Sequence, residues 1–112
     1  MSSQKIYRPQ PISGFPEWLP EQRLVELKWL DTIRQHFEPY GFCSIETSSV
    51  EALEVLLAKG EIEKEIYLID RLQTDSEASE ARLALHYDLT VPLARYVAQN
   101  FNELIFPFKR YQ

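Results

Sequence analysis

The chain has 112 residues, 45% of them hydrophobic, and twelve Lys and Arg against seventeen Asp and Glu leave a formal net charge of −5. That length fits one domain able to bury roughly 65% of its unfolded surface, and the acidic balance excludes a stand-alone module held on nucleic acid by phosphate contacts. Cys43 is the only cysteine, which excludes an internal disulfide and a cysteine-based metal cluster. The N-terminus has no apolar core of signal-peptide length and no run approaches membrane-spanning length, so a soluble, cytoplasmic protein with no membrane partner is expected.

Pro9, Pro11, Pro16 and Pro20 crowd the start of the chain. They rule out regular helix there and predict an extended arm over residues 1–19, with Ile12, Phe15, Trp18 and Leu19 packed against a surface. From residue 20 to 38 the apolar residues Leu24, Leu27, Leu30, Ile33 and Phe37 recur at steps of three and four, which predicts a long amphipathic helix. Pro20 and Glu21 suit its first turn, and Pro39 and Gly41 end it. Residues 42–46 (FCSIE) read as a short strand. Ser48 and Glu51 have the spacing of a capping box, so a second helix is expected over 51–59, closed by Gly60.

Residues 65–70 (EIYLID) alternate as a strand, and 74–81 (TDSEASEA) read as a polar surface turn. The next strand is expected over 82–87, with Leu83 and Leu85 on one face and Ala84 and His86 on the other. A helix over 91–100 follows, with Thr90 as N-cap and Leu93, Tyr96 and Val97 facing inward. Residues 108–112 open a further strand. The whole reads as an α+β chain.

Asp88 and Thr90 stand where the strand over 82–87 meets this last helix. A carboxylate and a hydroxyl placed together there suit an ammonium group, whose charge one attracts and whose N–H donors both accept. The simpler reading of the same residues is that they satisfy the free N–H groups of the helix start. Other chemistry is sparse. His36 and His86 lie far apart with no metal-ligand spacing around them, so no metal site is expected. Gly14, Gly41 and Gly60 are scattered and form no phosphate loop. Glu46, Glu51 and Glu54 read as a solvated helix face, and Arg95, Lys109 and Arg110 as surface charges. Tyr87 and Tyr111 read as packing residues with a wet edge.

Several stretches taken together resemble the N-terminal part of the catalytic domain of the histidyl-tRNA synthetases, which are class II ligases. ISGFPEWLPEQ resembles the family's opening arm. The helix over 20–38 with YGFCSIET is similar to motif 1, KEIYLIDR to the strand that follows, and FPFKRYQ to the entry of motif 2. LALHYDLTVPLARYVAQN is the most specific match, close to the segment that binds the amino acid. The resemblance implies a fragment of the class II antiparallel sheet flanked by helices, with residues 20–112 forming the N-terminal portion of that domain.

By the same resemblance, Asp88 and Thr90 bind the α-amino group of histidine, with His86 and Tyr87 as neighbours, and no catalytic residue lies within this chain. ATP with magnesium, tRNA(His), and a homodimer formed through the helix over 20–38 and the strand over 42–46 are implied for the complete enzyme. The arginines of motifs 2 and 3 would lie beyond Gln112, so the 112-residue chain is not expected to form histidyl-adenylate alone. Two positions depart from the family pattern: Ser48 stands where proline is usual, and His86 where arginine is usual. The histidine-sensing regulatory subunit of ATP phosphoribosyltransferase shares this resemblance, although DLTVPLARY and FKRYQ favour the synthetase. Ser48, His86 and the short length leave a third reading, a non-catalytic synthetase-like interaction protein.

Overall fold

A computed structural model of the chain describes residues 4–58, 60, 65–72 and 82–112. The chain divides into two compact units, Met1–Gly41 and Phe42–Gln112.

In the first unit, residues 4–19 form no helix or strand, and a turn is closed by the Phe15 N–H donating to the Ile12 carbonyl at 3.1 Å. Helix α1 spans Pro20–Phe37, starting on Pro20 with Glu21 in its first turn. Proline costs nothing at that position, since its missing N–H would have no partner in the helix. A single 3-10 turn, Glu38–Tyr40, continues it, and Gly41 closes the run with φ +85°. The predicted apolar stripe exists in the helix but is not covered: α1 has no buried residue, and Leu24, Leu27, Leu30 and Ile33 are all exposed. Ile12, Phe15, Trp18 and Leu19, expected to pack against a surface, are likewise exposed. Among the described residues of this unit there is no other α-helix and no strand against which such a stripe could be buried. The ion pairs Arg23–Glu26 and Arg34–Asp31 support the helix locally, each contributing a few tenths of a kcal/mol.

The second unit is built on short strands. β1 (Cys43–Ser44) pairs in parallel with β5 (Arg110–Tyr111), Cys43 opposite Arg110. A three-stranded antiparallel sheet is formed by β2 (Val50–Ala52), β3 (Leu68–Ile69) and β4 (Leu83–Leu85), in the order β2-β4-β3. Its registers put Glu51 opposite Ala84 and Leu68 opposite the same alanine on the other side. α2 (Leu53–Leu57) follows β2 directly, and α3 (Thr90–Gln99) follows β4. The mixed helix-and-sheet architecture expected from the sequence is present.

Among the described residues Leu56 of α2, Ala84 of β4 and Pro92 of α3 are fully buried. Ala84 is buried because β4 is the central strand. Its neighbours Leu83 and Leu85 point to the opposite, less covered face, as the alternation predicts. Tyr96 stacks on Phe108 with ring centroids 6.3 Å apart, joining α3 to the approach to β5. Lys109 lies over the Phe42 ring, 5.7 Å from its centroid.

Two local expectations are corrected. The capping box does not form, because residues 50–52 are strand and not helix. α2 begins at Leu53 behind Ala52 with no side-chain cap, and the Ser48 Oγ instead accepts from the Val50 N–H at 3.1 Å. The β-branched Val50 and the ladder to β4 outweigh a capping pattern that lies in a chain able to pair. Thr90 is also not the N-cap: Leu89 holds that position, and Thr90 is the first helical residue. Pro92, in the first turn of α3, is its fully buried residue, whereas Leu93, Tyr96 and Val97 are half-buried. The polar turn expected over 74–81 lies outside the described residues.

Candidate functional site

The segment from His86 to Leu89 carries the chain from the end of β4 into α3. The β2–β4 pairing continues by one more bond past Leu85, from the His86 N–H to the Ser49 carbonyl at 3.1 Å. Four residues later, at Thr90, the helix begins, so Asp88 sits between a paired strand end and a helix start.

Asp88 and Thr90 are brought into direct contact. The Thr90 N–H donates to Asp88 Oδ1 at 3.2 Å, and the Thr90 hydroxyl donates to Asp88 Oδ2 at 2.8 Å. The first bond satisfies a backbone donor that the helix itself leaves open, so the simpler of the two sequence readings is realised, with Asp88 and not Thr90 as the acceptor. The second bond orders the hydroxyl so that its lone pairs face away from its own proton. Each carboxylate oxygen can accept more than one donor. A half-buried carboxylate and an exposed, oriented hydroxyl therefore occur side by side. That arrangement suits a compact cation with several N–H donors.

His86 and Tyr87 flank this pair but face elsewhere. The His86 ring Nδ1 meets the Ser48 carbonyl oxygen at 3.2 Å, so these two positions contact each other. His86 lines a hollow of about 410 Å³ together with Ser44, Thr47, Ser49, Tyr111 and Gln112, among others. There the Gln112 amide donates to the Thr47 hydroxyl at 2.9 Å. The Tyr87 hydroxyl oxygen is buried without a hydrogen-bond partner among the described residues. Thr90 instead borders a larger groove of about 770 Å³, bounded by Val91, Ala94 and Arg95 of α3 and by Glu54, Val55 and Ala58.

A polar pair that the sequence reading did not anticipate lies next to this groove. Glu51, read from sequence as part of a solvated helix face, is 3% exposed in the middle of β2. Arg95, read as a surface charge, donates its Nε–H to Glu51 Oε1 at 2.7 Å and its Nη1–H to Gln99 Oε1 at 2.8 Å. One signal was available: Glu51 stands among Val50, Ala52 and Leu53, and an acidic residue inside an apolar run needs a cationic partner if it is buried. Arg110 lies on β5 and Lys109 just before it, over the Phe42 ring. Among the described residues no three His, Cys, Asp or Glu side chains converge as metal ligands. No helix of the described residues is long and apolar enough to cross a membrane.

No protein-family model matches the chain. Over its whole length it is 67% identical to the histidine–tRNA ligase of Thermobifida fusca (strain YX), of which it spans 26%. The crystal structure of histidyl-tRNA synthetase from Nostoc sp. PCC 7120 superposes with a TM-score of 0.80 at 50% identity, covering 92% of this chain and 23% of that one. A Bacillus halodurans C structure, described as an ATP phosphoribosyltransferase regulatory subunit/histidyl-tRNA synthetase, superposes with a TM-score of 0.73 over 95% of this chain and 27% of that one. Its 21% identity shows a common fold alone. The chain spans about a quarter of the length of the curated relatives it matches.

Proposed function

From its homology, along the whole chain, with the histidine–tRNA ligases, we propose that this polypeptide is the N-terminal part of a class II catalytic domain of such a ligase. In this reading Asp88 and Thr90 receive the α-ammonium group of histidine. The observation that carries the reading is the contact of the two side chains at the end of β4, within the stretch most similar to the family's amino-acid-binding segment.

The chemistry follows from that placement. The ligase joins the histidine carboxylate to the α-phosphorus of ATP with release of pyrophosphate, then transfers the histidyl group to a tRNA hydroxyl with release of AMP. Such reactions are accelerated chiefly by positioning and by stabilising developing charge. The ammonium group lies one carbon from the reacting carboxylate, so fixing it restricts the directions in which the carboxylate can attack. Asp88 supplies the opposite charge, and the Thr90 hydroxyl, its own proton committed to Asp88, offers its lone pairs to a second ammonium N–H.

ATP, tRNA(His) and a second copy meeting α1 and residues 42–46 complete the reading as partners, and the cytoplasm as its compartment. Among the described residues no three acidic, histidine or cysteine side chains converge to hold magnesium. The test is histidine-dependent ATP–pyrophosphate exchange by the ligase that carries this segment. Asp88→Asn is expected to raise the KM for histidine about tenfold or more, with the KM for ATP little changed. An unaltered histidine KM would remove Asp88 from the site.

A further inference from the structure

The segment holding Asp88 and Thr90 is tied at both ends to one residue. Before it, Ala84 of β4 is paired across the sheet with Glu51 of β2. After it, Arg95 of α3 reaches back to the Glu51 carboxylate at 2.7 Å. Glu51 therefore joins the strand that enters the turn through its backbone, and the helix that leaves it through its side chain.

The joint is stiff for physical reasons. The Glu51 side chain is 2% exposed and that of Arg95 27%, so separating them strands a carboxylate with little access to water. The guanidinium is held at a second point by Gln99, one turn further along α3, and its planar fork cannot follow a rotated helix while keeping both bonds. β2 is itself fixed by its ladder to β4. Rotation of α3 about its axis, or a slide along the sheet, breaks the Glu51–Arg95 bond first. Such a movement also carries Thr90 relative to Asp88, because Thr90 is the first residue of that helix.

We infer that Glu51 is a positioning residue for ammonium recognition. Acting through Arg95, it sets the rotation and height of α3, and so the separation at which the Asp88 carboxylate and the Thr90 hydroxyl are presented to the ligand. The inference rests on the histidine-ammonium reading of Asp88 and Thr90. What matters in it is the reach of the Glu51 side chain, more than its charge.

The experiment uses the full chain labelled with nitrogen-15, unsubstituted and as Glu51→Gln, Glu51→Asp and Glu51→Ala. Each is titrated with histidine and with imidazole propanoate, which is histidine without its α-amino group. The Cys43 and Ile45 amides, bonded to the Lys109 and Tyr111 carbonyls, report whether the unit remains folded. Glu51→Gln keeps the length and an acceptor oxygen and is expected to bind histidine within about twofold of the parent. Glu51→Asp keeps the charge, is shorter, and should lose about tenfold in affinity for histidine and none for the propanoate. Its Thr90 amide resonance should move without ligand.

Folded Glu51→Asp and Glu51→Ala that bind histidine like the parent overturn the inference. So does equal loss for both ligands, which marks a merely structural role. If the unsubstituted chain does not distinguish histidine from the propanoate, the reading of Asp88 and Thr90 fails, and the inference with it. That failure is recognisable because it appears before any substitution.

Discussion

Thr90 gives both of its donors to Asp88, its backbone N–H to Oδ1 at 3.2 Å and its hydroxyl to Oδ2 at 2.8 Å. One side chain thus starts the helix α3 and presents a negative charge at the end of β4. The two duties have different requirements, and substitution separates them. Asp88→Asn retains an acceptor for the Thr90 N–H, so its unfolding free energy should stay within about 0.5 kcal/mol of the parent, whereas Asp88→Ala should lose about 1 kcal/mol. Urea denaturation measures both. Histidine affinity should fall in both, because both lack the charge.

Glu51 and Ser48 invite a second comparison. If they formed a capping box, replacing either with alanine would cost a similar, modest amount. The structure places Glu51 against Arg95 and leaves Ser48 exposed in a local turn. Glu51→Ala is therefore expected to destabilise the chain by about 2–3 kcal/mol, somewhat below the range for a fully buried pair because Arg95 keeps partial access to water. Ser48→Ala should cost less than about 0.5 kcal/mol. Urea midpoints of the two variants, taken side by side, decide the matter.

The contrast marks what was legible in the sequence. Prolines, glycines and three-to-four spacing located the start and end of α1 to within a residue or two, because those signals are local to the backbone. Alternation located β4, and the placing of Asp88 and Thr90 at the junction of that strand with the next helix matches their contact in the structure. The pairing of Glu51 with Arg95 depends on the antiparallel register of β2 with β4. Register is a long-range property that a short run such as Val50–Ala52 does not encode by itself. For the same reason residues 48–51 resembled a cap: the spacing of a capping box and a strand edged by serine share a pattern, and the ladder decides between them. The coverage of α1's apolar stripe is likewise not encoded by its spacing, which shows where the stripe is and not what meets it.

Leu56 is fully buried in a helix of only five residues. So short a helix is held by its packing and not by propensity. Leu56→Ala should cost about 2–5 kcal/mol and lower the thermal midpoint of the second unit. A change below about 1 kcal/mol, less than core truncations cost, would mean that α2 does not carry the packing assigned to it.

Gly41 adopts φ +85°, and a Cβ built there would meet nothing within 4 Å. The cost of Gly41→Ala is then the backbone term alone, about 1 kcal/mol. Gly41→Asn should cost less, since asparagine tolerates the left-handed region. Equal stability of the alanine variant and the parent would show that the chain leaves the 3-10 turn by another conformation.

The central claim is that Asp88 and Thr90 recognise the α-ammonium group of histidine, and a titration of the nitrogen-15-labelled chain tests it most directly. Histidine should shift the Asp88 and Thr90 amide resonances in a saturable way, while imidazole propanoate at the same concentration leaves them in place. Equal responses to the two ligands, or no response to histidine at saturating concentration, would contradict it.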